Sequence, residues 1–303
     1  MIKFDKKHDR LAIIAPASAC NDKQGYMDKT KSLHRLQALI SFFKKNKFQC
    51  NYNEKIFERN ELEYFAASKV ERIRQLKAVL LDPQVKIIYA FRGGYGCADI
   101  AFDCLELVPS GPKILIGFSD ITVLHLLFNQ HYKFMSIHSS MDSGKIEMLE
   151  ELISVIAGSD IQINLQPVTI SAENQKKSGE VIGGNLTVLC SMIGTKLHPL
   201  TKDKILFIED INEKGYQVHR HLVHLYRAGL LTDIKGLILG EFTDSDQYIE
   251  VSIASFIDEY LSDIAVYRSD SIGHGDVNHP VIIGAVGQIS ANILTITNPF
   301  QII

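Results

Sequence analysis

Three separate stretches of this sequence carry side chains that could perform nucleophilic catalysis. Ser119 follows a short apolar run, Glu209 and Asp210 close another apolar run, and His274 lies between two glycines. A serine nucleophile needs a base that removes its proton and an acid that orients the base. Ser119, Glu209 and His274 supply one of each, in that order along the chain. Sequence spacing alone does not show that they meet.

Ser119 lies at the predicted junction of a strand and a helix. The apolar run 114–116 reaches Gly117, and apolar residues recur at helical spacing after the serine. This placement is typical of the strand-turn-helix elbow of serine hydrolases, which exposes the nucleophile. The usual G-x-S-x-G is absent, since Ile121 occupies the second glycine position. Because serine also commonly caps helices, both interpretations stay open on this stretch alone.

A glycine-rich loop, RGGYG at 92–96, follows another predicted strand. Glycines let backbone N–H groups face an anion without interference from Cβ atoms. A phosphate cradle, an oxyanion donor and a simple tight turn are the alternatives. The spacing matches neither the dinucleotide fingerprint nor the P-loop, which argues against a nucleotide-binding module.

The carboxylates and histidines also have purely structural interpretations. Charged residues that close a strand often only mark its emergence into solvent, and most loop histidines have no function. His221 and His224 share a helix face, but no carboxylate completes a metal-binding pattern, so a solvated helix face is favoured. His125 and His138 lie on apolar segments and are predicted to be core or site-wall histidines.

Composition excludes several classes of function for the 303-residue sequence. The 32 basic and 35 acidic side chains give a net charge of −3, which argues against nucleic acid as a partner. The amino-terminal apolar run is too short for a signal peptide, and no window approaches the ~20 apolar residues of a membrane span. We therefore expect a cytoplasmic protein without a membrane partner. The five cysteines form no C-x-x-C pair and are predicted to be reduced and buried.

Strand and helix patterns alternate through the first part of the chain. Strands are predicted at 11–15, 86–91 and 134–138, and helices at 31–45 and 68–81, the second with a capping box of Ser68 and Glu71. Such alternation is typical of a parallel sheet with helices on both faces, in which ligands bind beyond the carboxyl ends of the strands.

A loss of hydrophobic period at 161–178 predicts a linker. We therefore predict a first domain at 1–160 and a second domain at 179–303. The second half contains a helix capped by Asn185, a helix at 216–228, a helix at 251–261 and a β-rich end.

The chain resembles the serine peptidases that include murein tetrapeptide L,D-carboxypeptidases and microcin-immunity peptidases. The resemblance spans nearly the whole chain, and the order and spacing of its motifs are specific. The motifs are APAS at 15–18, RGGYG at 92–96, GFSDITVLH at 117–125, GGNLTVL at 183–189, IED at 208–210, YQVHRHL at 216–222, LILGEF at 237–242 and IGHG at 272–275.

This resemblance implies a catalytic role for three residues. Ser119 would be the nucleophile, His274 the general base and Glu209 the acid that orients the histidine. The N–H groups of Asp120 and Gly94 would stabilise the oxyanion.

The resemblance also implies substrate contacts by Arg92, Gly93 and Asn185, although Arg92 could instead pin the glycine loop. It implies no metal and no cofactor. The implied fold is an α/β one, with a Rossmann-like N-terminal domain that carries the nucleophile and a smaller β-rich α/β C-terminal domain that carries the acid and the histidine. Relatives are usually homodimers.

The implied function is a cytoplasmic serine carboxypeptidase that releases the C-terminal D-alanine from muropeptide tetrapeptides in peptidoglycan recycling. The alternative is an immunity peptidase that hydrolyses a peptidyl-nucleotide antibiotic. The sequence departs from the family pattern at HSS (138–140) and DVNHP (276–280). We expect these departures to affect the walls of the substrate pocket more than the triad. It also contains no tryptophan, which weighs against stacking on a nucleotide.

Overall fold

The computed structural model describes residues 2–20, 28–59, 62, 64–139, 146–173 and 175–302. The chain divides into two compact units. Unit 1 comprises Met1–Gly158 and Pro299–Ile303, and unit 2 comprises Ser159–Asn298.

Strands occur throughout both units. In chain order they are β1 (Ile2–Phe4), β2 (Arg10–Ile14), β3 (Gln49–Tyr52), β4 (Val85–Ala90), β5 (Ile114–Gly117), β6 (Ser136–His138), β7 (Ile161–Asn164), β8 (Gln166–Pro167), β9 (Lys177–Asn185), β10 (Ile205–Ile211), β11 (Gly236–Thr243), β12 (Val266–Arg268), β13 (Val281–Ile283), β14 (Val286–Ser290), β15 (Ile293–Ile296) and β16 (Phe300–Ile302).

Helices connect many of these strands. They are α1 (Lys29–Lys45), α2 (Lys69–Leu81), α3 (Cys97–Ala101), α4 (Thr122–Leu126), α5 (Ile146–Ile156), α6 (Leu186–Ser191), α7 (Gly215–Arg227) and α8 (Ile249–Tyr260). Short 3-10 turns lie at 54–57, 102–104, 119–121 and 170–172, and a π-helical turn at 127–131 follows α4.

Unit 1 contains the predicted parallel sheet. Five of its strands follow the order β6-β5-β4-β2-β3, and every neighbouring pair is parallel. The four residues of β5 are all buried, as expected for a strand covered on both faces. The segments after β2, β4 and β5 therefore leave the sheet at its carboxyl edge, which is where the α/β architecture places ligands.

The helices of unit 1 begin where polar side chains can accept from their first N–H groups. Asp28 accepts from the Lys31 N–H at the start of α1, and Ser68 accepts from the Glu71 N–H at 3.2 Å at the start of α2. Only this half of the predicted capping box forms. The Glu71 carboxylate instead accepts from Arg74 at 2.8 and 2.6 Å.

Unit 2 is built on one mixed sheet of eight strands in the order β7-β15-β14-β9-β10-β11-β12-β8. Strands β9, β10, β11 and β12 are parallel, while β14, β15 and β7 pair antiparallel. Helix α7 buries Val218, Leu222 and Leu225, the stripe that its sequence period predicted. The predicted α/β class, with a parallel first part and a β-rich second part, is confirmed.

The segment predicted as a linker belongs to the folded sheet of unit 2. Within 161–178, β7 pairs with β15 and β8 pairs with β12, and only residue 174 lies outside the described residues. Strand β7 alternates buried and exposed residues over four positions, a pattern too short to stand out beside the polar stretch that follows it. Residues 299–303 also depart from the predicted boundaries, because β16 pairs with β1 in unit 1.

All five cysteines are free thiols, and four of them are buried. Burial raises the pKa of Cys20 to about 12. Among the helices of the described ranges, none combines the length and the apolar character that crossing a bilayer requires.

Candidate active site

Ser119 occupies a backbone conformation that non-glycine residues rarely adopt. Its φ is +61°, directly after β5 and at the first position of the 3-10 turn 119–121. The left-handed region brings Cβ close to the backbone and costs free energy. A non-glycine residue therefore keeps this conformation only where the surrounding structure holds it. Such strain often occurs at functional sites. Ser119 is the first residue inside the turn, whose N-cap is Phe118, so its position favours the nucleophile interpretation over a simple helix cap.

The glycine loop packs directly against Ser119. A Cβ atom added at Gly93 would lie 3.0 Å from the Ser119 Cβ and 3.3 Å from its Oγ. It would also lie 3.2 Å from the carbonyl oxygen of Phe118, which is backbone and yields little. The absence of a side chain at Gly93 therefore lets the loop pack against Ser119.

Ser18, in the APAS motif after β2, holds the glycine loop from one side. Its N–H donates to the Gly93 carbonyl at 3.1 Å, and its Oγ accepts from the Tyr95 N–H at 2.9 Å. Gly94 has φ +99°, and a Cβ there would overlap the Ser18 side chain. Sequence reasoning assigned no role to Ser18, although its motif was part of the family resemblance.

Arg92 donates from Nη1 to the carbonyl of Ala19, which is a contact that pins the loop. This contact supports the second of the two predicted roles of Arg92. A bond from Arg92 to a substrate carboxylate stays a prediction.

Asp120 connects the turn that contains Ser119 to the end of the glycine loop. Its side chain is 3% exposed, and its Oδ2 accepts from the Cys97 N–H at 2.8 Å at the start of α3. Burial raises the pKa of Asp120, and the opposing effects of the Cys97 hydrogen bonds and the Arg72 charge do not cancel it. The Asp120 N–H lies in the first turn of a helix, where N–H groups have no intrahelical acceptor.

Arg72 supports the same loop from α2, with its side chain buried. The guanidinium donates to the Gly96 carbonyl at 2.8 Å and to the Pro16 carbonyl at 3.2 Å. It also pairs with Asp99 at 2.8 Å and lies 4.3 Å from the centre of the Phe65 ring. One cation thus joins the segments that follow β2 and β4.

Glu209 and His274 meet within unit 2. The Oε2 of Glu209 lies 2.6 Å from the His274 Nδ1, with the glutamate side chain fully buried and the imidazole 11% exposed. Burial lowers the pKa of His274, but the hydrogen bond that His274 donates to Glu209 and the charges of Glu209, Asp210 and Glu241 outweigh it, so the pKa is raised. The pair can hold one imidazole tautomer with Nε2 directed away from the acid.

Asp210 has a different task from its neighbour. Its Oδ1 accepts from Asn185 Nδ2 at 2.7 Å, and its Oδ2 accepts from the N–H and the hydroxyl of Thr187 at 2.9 and 2.8 Å. Burial raises the pKa of Asp210. Both carboxylates at this strand end are buried, so the alternative that they only mark emergence into solvent is wrong.

Asn185 caps α6, as predicted, by accepting from the Val188 N–H at 3.1 Å. Its amide nitrogen donates to Asp210, and the side chain is 4% exposed. Both polar ends of Asn185 are thus used inside unit 2. Its predicted contact with substrate stays a prediction.

His125, a buried histidine of unit 1, is hydrogen-bonded within the fold. His125 has Nδ1 2.8 Å from the Ser136 Oγ and Nε2 2.9 Å from the Gly117 carbonyl, and burial lowers its pKa to about 3. The prediction of a core histidine at His125 is confirmed. His138 is also buried, with its ring edge-on to Phe118. In the HSS stretch, Ser140 lies outside the described residues.

Metal ligands do not cluster in the part of the chain that the structure describes. No group of three or more His, Cys, Asp or Glu side chains there is arranged to hold an ion.

Two domain families of known proteins match the two parts of the sequence. Residues 11–139 match the LD-carboxypeptidase N-terminal domain, and residues 178–289 match the LD-carboxypeptidase C-terminal domain. The "Probable murein peptide carboxypeptidase" of Bacillus subtilis (strain 168) is 30% identical over 295 residues, which cover 92% of this chain and 88% of the relative. The chain belongs to the LD-carboxypeptidase family. It is therefore a carboxypeptidase, a hydrolase of peptide bonds.

Solved structures agree with the fold of this LD-carboxypeptidase. The muramoyltetrapeptide carboxypeptidase from Oxalobacter formigenes superposes with a TM-score of 0.80 at 27% identity, covering 96% of this chain and 99% of that one. The microcin C7 self immunity protein MccF, solved with aspartyl sulfamoyl adenosine, gives a TM-score of 0.77 at 17% identity, with 97% of each chain covered. At that identity, the second likeness shows the fold alone.

Proposed function

We propose that this LD-carboxypeptidase is a serine enzyme that releases the C-terminal D-alanine from murein tetrapeptides. Ser119 acts as nucleophile, His274 as general base and Glu209 as the acid that orients the base. The observation that carries this function is the buried 2.6 Å contact between Glu209 and His274. A buried carboxylate on Nδ1 leaves Nε2 as the proton acceptor that a serine hydroxyl needs.

In the first half of the reaction, the Nε2 of His274 removes the Ser119 hydroxyl proton while Oγ attacks the carbonyl carbon of the scissile peptide bond. The tetrahedral intermediate carries its negative charge on the former carbonyl oxygen. His274 then gives the proton to the leaving nitrogen, the C–N bond breaks, and D-alanine departs. The shortened peptide stays bound to Ser119 as an ester.

In the second half, His274 removes a proton from water, and the hydroxide attacks the ester carbonyl. Collapse of this second intermediate returns the proton to the Ser119 Oγ and frees the shortened peptide. Glu209 stays ionised throughout and stabilises the imidazolium in both steps.

The oxyanion accepts from the N–H groups of Asp120 and Gly94 in this mechanism. Support comes from the packing of the glycine loop on Ser119 and from the helical first-turn position of Asp120. A donor of this kind contributes about 2.7 to 4 kcal/mol to transition-state stabilisation in a comparable hydrolase.

The substrate class rests on the names of two similar proteins, a murein peptide carboxypeptidase and a muramoyltetrapeptide carboxypeptidase. We assign contacts with the peptide to Arg92, Gly93 and Asn185. The enzyme needs neither metal nor cofactor in this mechanism, since its own side chains supply base, acid and nucleophile. We place it in the cytoplasm as a homodimer that serves peptidoglycan recycling.

The rival function is hydrolysis of a peptidyl-nucleotide antibiotic. It follows from the sequence resemblance to microcin-immunity peptidases, and the fold shared with MccF over 97% of this chain is compatible with it. The absence of tryptophan from the sequence weighs against it, because stacking on a nucleotide base would then fall to tyrosine or phenylalanine.

Release of D-alanine from a purified murein tetrapeptide tests the proposed function. The wild-type protein should release D-alanine, and Ser119→Ala should lose at least about 1,000-fold in kcat. The matched control is Ser154→Ala, at an exposed serine on α5, which should behave as wild type. A wild-type protein that cleaves only a peptidyl-adenylate analogue would establish the rival, and equal release by Ser119→Ala would exclude Ser119 as nucleophile.

A further inference from the structure

A β-bulge lies beside Glu209 and brings a second glutamate to the histidine loop. Ile208 pairs with Leu239 and Asp210 pairs with Phe242, so Glu209 on β10 faces two residues of β11, Gly240 and Glu241. An extra residue of this kind locally re-aims side chains, and bulges are frequent next to active sites. The sequence does not predict this bulge, because the apolar pattern of each strand is continuous and the register between the two strands is not encoded in either pattern.

Glycines let the histidine loop fit closely against both glutamates. The Glu241 N–H donates to the Ile272 carbonyl at 2.8 Å. Gly273 has φ +138°, and a Cβ there would lie 3.3 Å from the Cβ atoms of both Glu209 and Glu241. The loop therefore touches β10 and β11 with its backbone just before His274.

The Glu241 carboxylate lies against the residue just after His274. A Cβ placed on Gly275 would overlap Cδ and both oxygens of Glu241. The imidazole is thus flanked by Gly273 and Gly275, which are packed against β11 at Glu241, while Glu209 bonds its Nδ1. Glu241 lies in the LILGEF motif, but none of the three triad roles involves this second carboxylate.

We propose that Glu241 is a positioning residue for His274, and that its carboxylate fixes the loop by occupying the space that Gly275 leaves open. This inference rests on the proposed function of His274 as general base. Glu241 acts through the loop backbone and through its negative charge, whereas Glu209 acts by direct contact.

Several charged groups surround this arrangement. Glu209 and Asp210 on β10 and Glu241 on β11 all favour the protonated imidazole. On its other side, Glu241 lines a cavity of about 250 Å³ together with Glu250, Arg268 and Asp270. Arg268 pairs with Glu250 at 2.7 Å, so a nearby cation is already engaged by another carboxylate.

The first test is an NMR titration of the His274 ring protons in the free protein, assigned by comparison with His274→Gln. Removing the Glu241 charge with Glu241→Gln should lower the pKa of His274 by roughly half a unit, less than the ~1 to 3 units that a charge in direct contact produces. The matched control is Glu173→Gln, an exposed carboxylate of the same unit, which should leave the titration unchanged. An unchanged titration in Glu241→Gln would overturn the charge effect.

The second test is a double-mutant cycle between positions 241 and 275. Gly275→Ala should lower kcat at least about tenfold with little change in KM, because its methyl group displaces the Glu241 carboxylate and the loop. In a Glu241→Ala background the same substitution should cost less than about threefold, since the space is then free. An equal cost in both backgrounds would overturn the positioning role. Thermal unfolding of each variant separates loss of folding from loss of activity.

These two tests also separate the inference from the proposed function. If the wild-type protein released no D-alanine, the carboxypeptidase mechanism would fail, while the His274 titration would still report whether Glu241 acts on the imidazole. If activity were present and neither test showed coupling, only the role of Glu241 would fall.

Discussion

Ser119 combines a reactive hydroxyl with a left-handed backbone. Its neighbours hold this conformation: Gly93 packs on its side chain, and the Asp120 carboxylate is bonded to the Cys97 N–H. The turn thus exposes a hydroxyl at a strand end without the second glycine of the usual elbow. The strain is local, and relieving it should raise the free energy of unfolding.

Substitutions at Ser119 should therefore separate activity from stability. Both Ser119→Gly and Ser119→Ala remove the hydroxyl and should abolish hydrolysis, but Gly adopts φ +61° without the penalty that Ala pays. We expect Ser119→Gly to be more stable than Ser119→Ala by about 1 kcal/mol in urea unfolding. Equal stabilities would show that the turn is unstrained.

His274 links the site to pH. Burial lowers the pKa of His274. The hydrogen bond to Glu209 and the nearby carboxylate charges raise it by more, so the net pKa lies above the usual value. The folded protein therefore binds this proton more tightly than the unfolded chain. The resulting stabilisation is complete below the unfolded pKa of ~6.5 and is lost as pH rises through the folded pKa.

We expect the unfolding free energy of the wild type, relative to a Glu209→Gln/His274→Gln double variant, to be larger at about pH 5.5 than at about pH 9. The double variant keeps the shape of the Glu209 side chain, replaces the imidazole by an uncharged amide and leaves neither position with a titratable group. Urea unfolding at the two pH values measures the difference. A difference that grows towards high pH would contradict a raised pKa.

Among the elements, α2 stabilises the site through one buried side chain. Arg72 spans from α2 to the Pro16 and Gly96 carbonyls, and Asp99 balances its charge. Arg72 was not singled out from the sequence, because an arginine on an amphipathic helix normally faces solvent.

Replacing Arg72 by Met should destabilise unit 1 by about 2 to 4 kcal/mol, since two buried carbonyls lose their donor. The glycine loop should also shift, and kcat should fall. The control is Arg74→Met on the same helix. The Arg74 side chain is 55% exposed, and its partner Glu71 keeps its contacts with Gln75 and Lys55, so this substitution should cost less, about 1 kcal/mol. Similar effects of the two substitutions in urea unfolding would contradict the bracing role of Arg72.

Sequence period predicted the long elements well, because amphipathic helices bury one stripe. Helix α1 was predicted at 31–45 and is observed at Lys29–Lys45, and the Asn185 cap of α6 is confirmed. The hydrophobic period could not predict the left-handed backbone of Ser119, because that conformation is held by tertiary packing against Gly93. It could not predict the bulge at Glu241 either, since register is set between strands.

At the scale of the whole molecule, unit 1 is not continuous in sequence. Strand β16 returns to pair with β1, and Phe300 is 4% exposed. Strand β16 also lies beside Gly158, where a Cβ would be 3.0 Å from the Phe300 carbonyl oxygen. The predicted second domain, 179–303, includes β16, whereas in the structure this strand pairs with β1 of unit 1.

Deleting residues 299–303 should therefore destabilise unit 1 by about 3 kcal/mol or more, chiefly through the loss of Phe300. Unit 2 should keep its amide protection, because β16 takes no part in its sheet. Hydrogen exchange measured residue by residue distinguishes the two units, with Phe300→Leu as the control that keeps the strand. Equal loss of protection in unit 2 would contradict the assignment of β16 to unit 1.

The return of the chain at Pro299 bears on the order in which the two units can be completed during translation. Domains normally fold as they leave the ribosome, amino-terminal first. Here β1 is synthesised before unit 2, yet its partner β16 is made only after the whole of Ser159–Asn298. The unit that carries Glu209 and His274 is thus complete in sequence before the unit that carries Ser119, so in a nascent chain the Glu209–His274 contact can form before unit 1 gains its last strand.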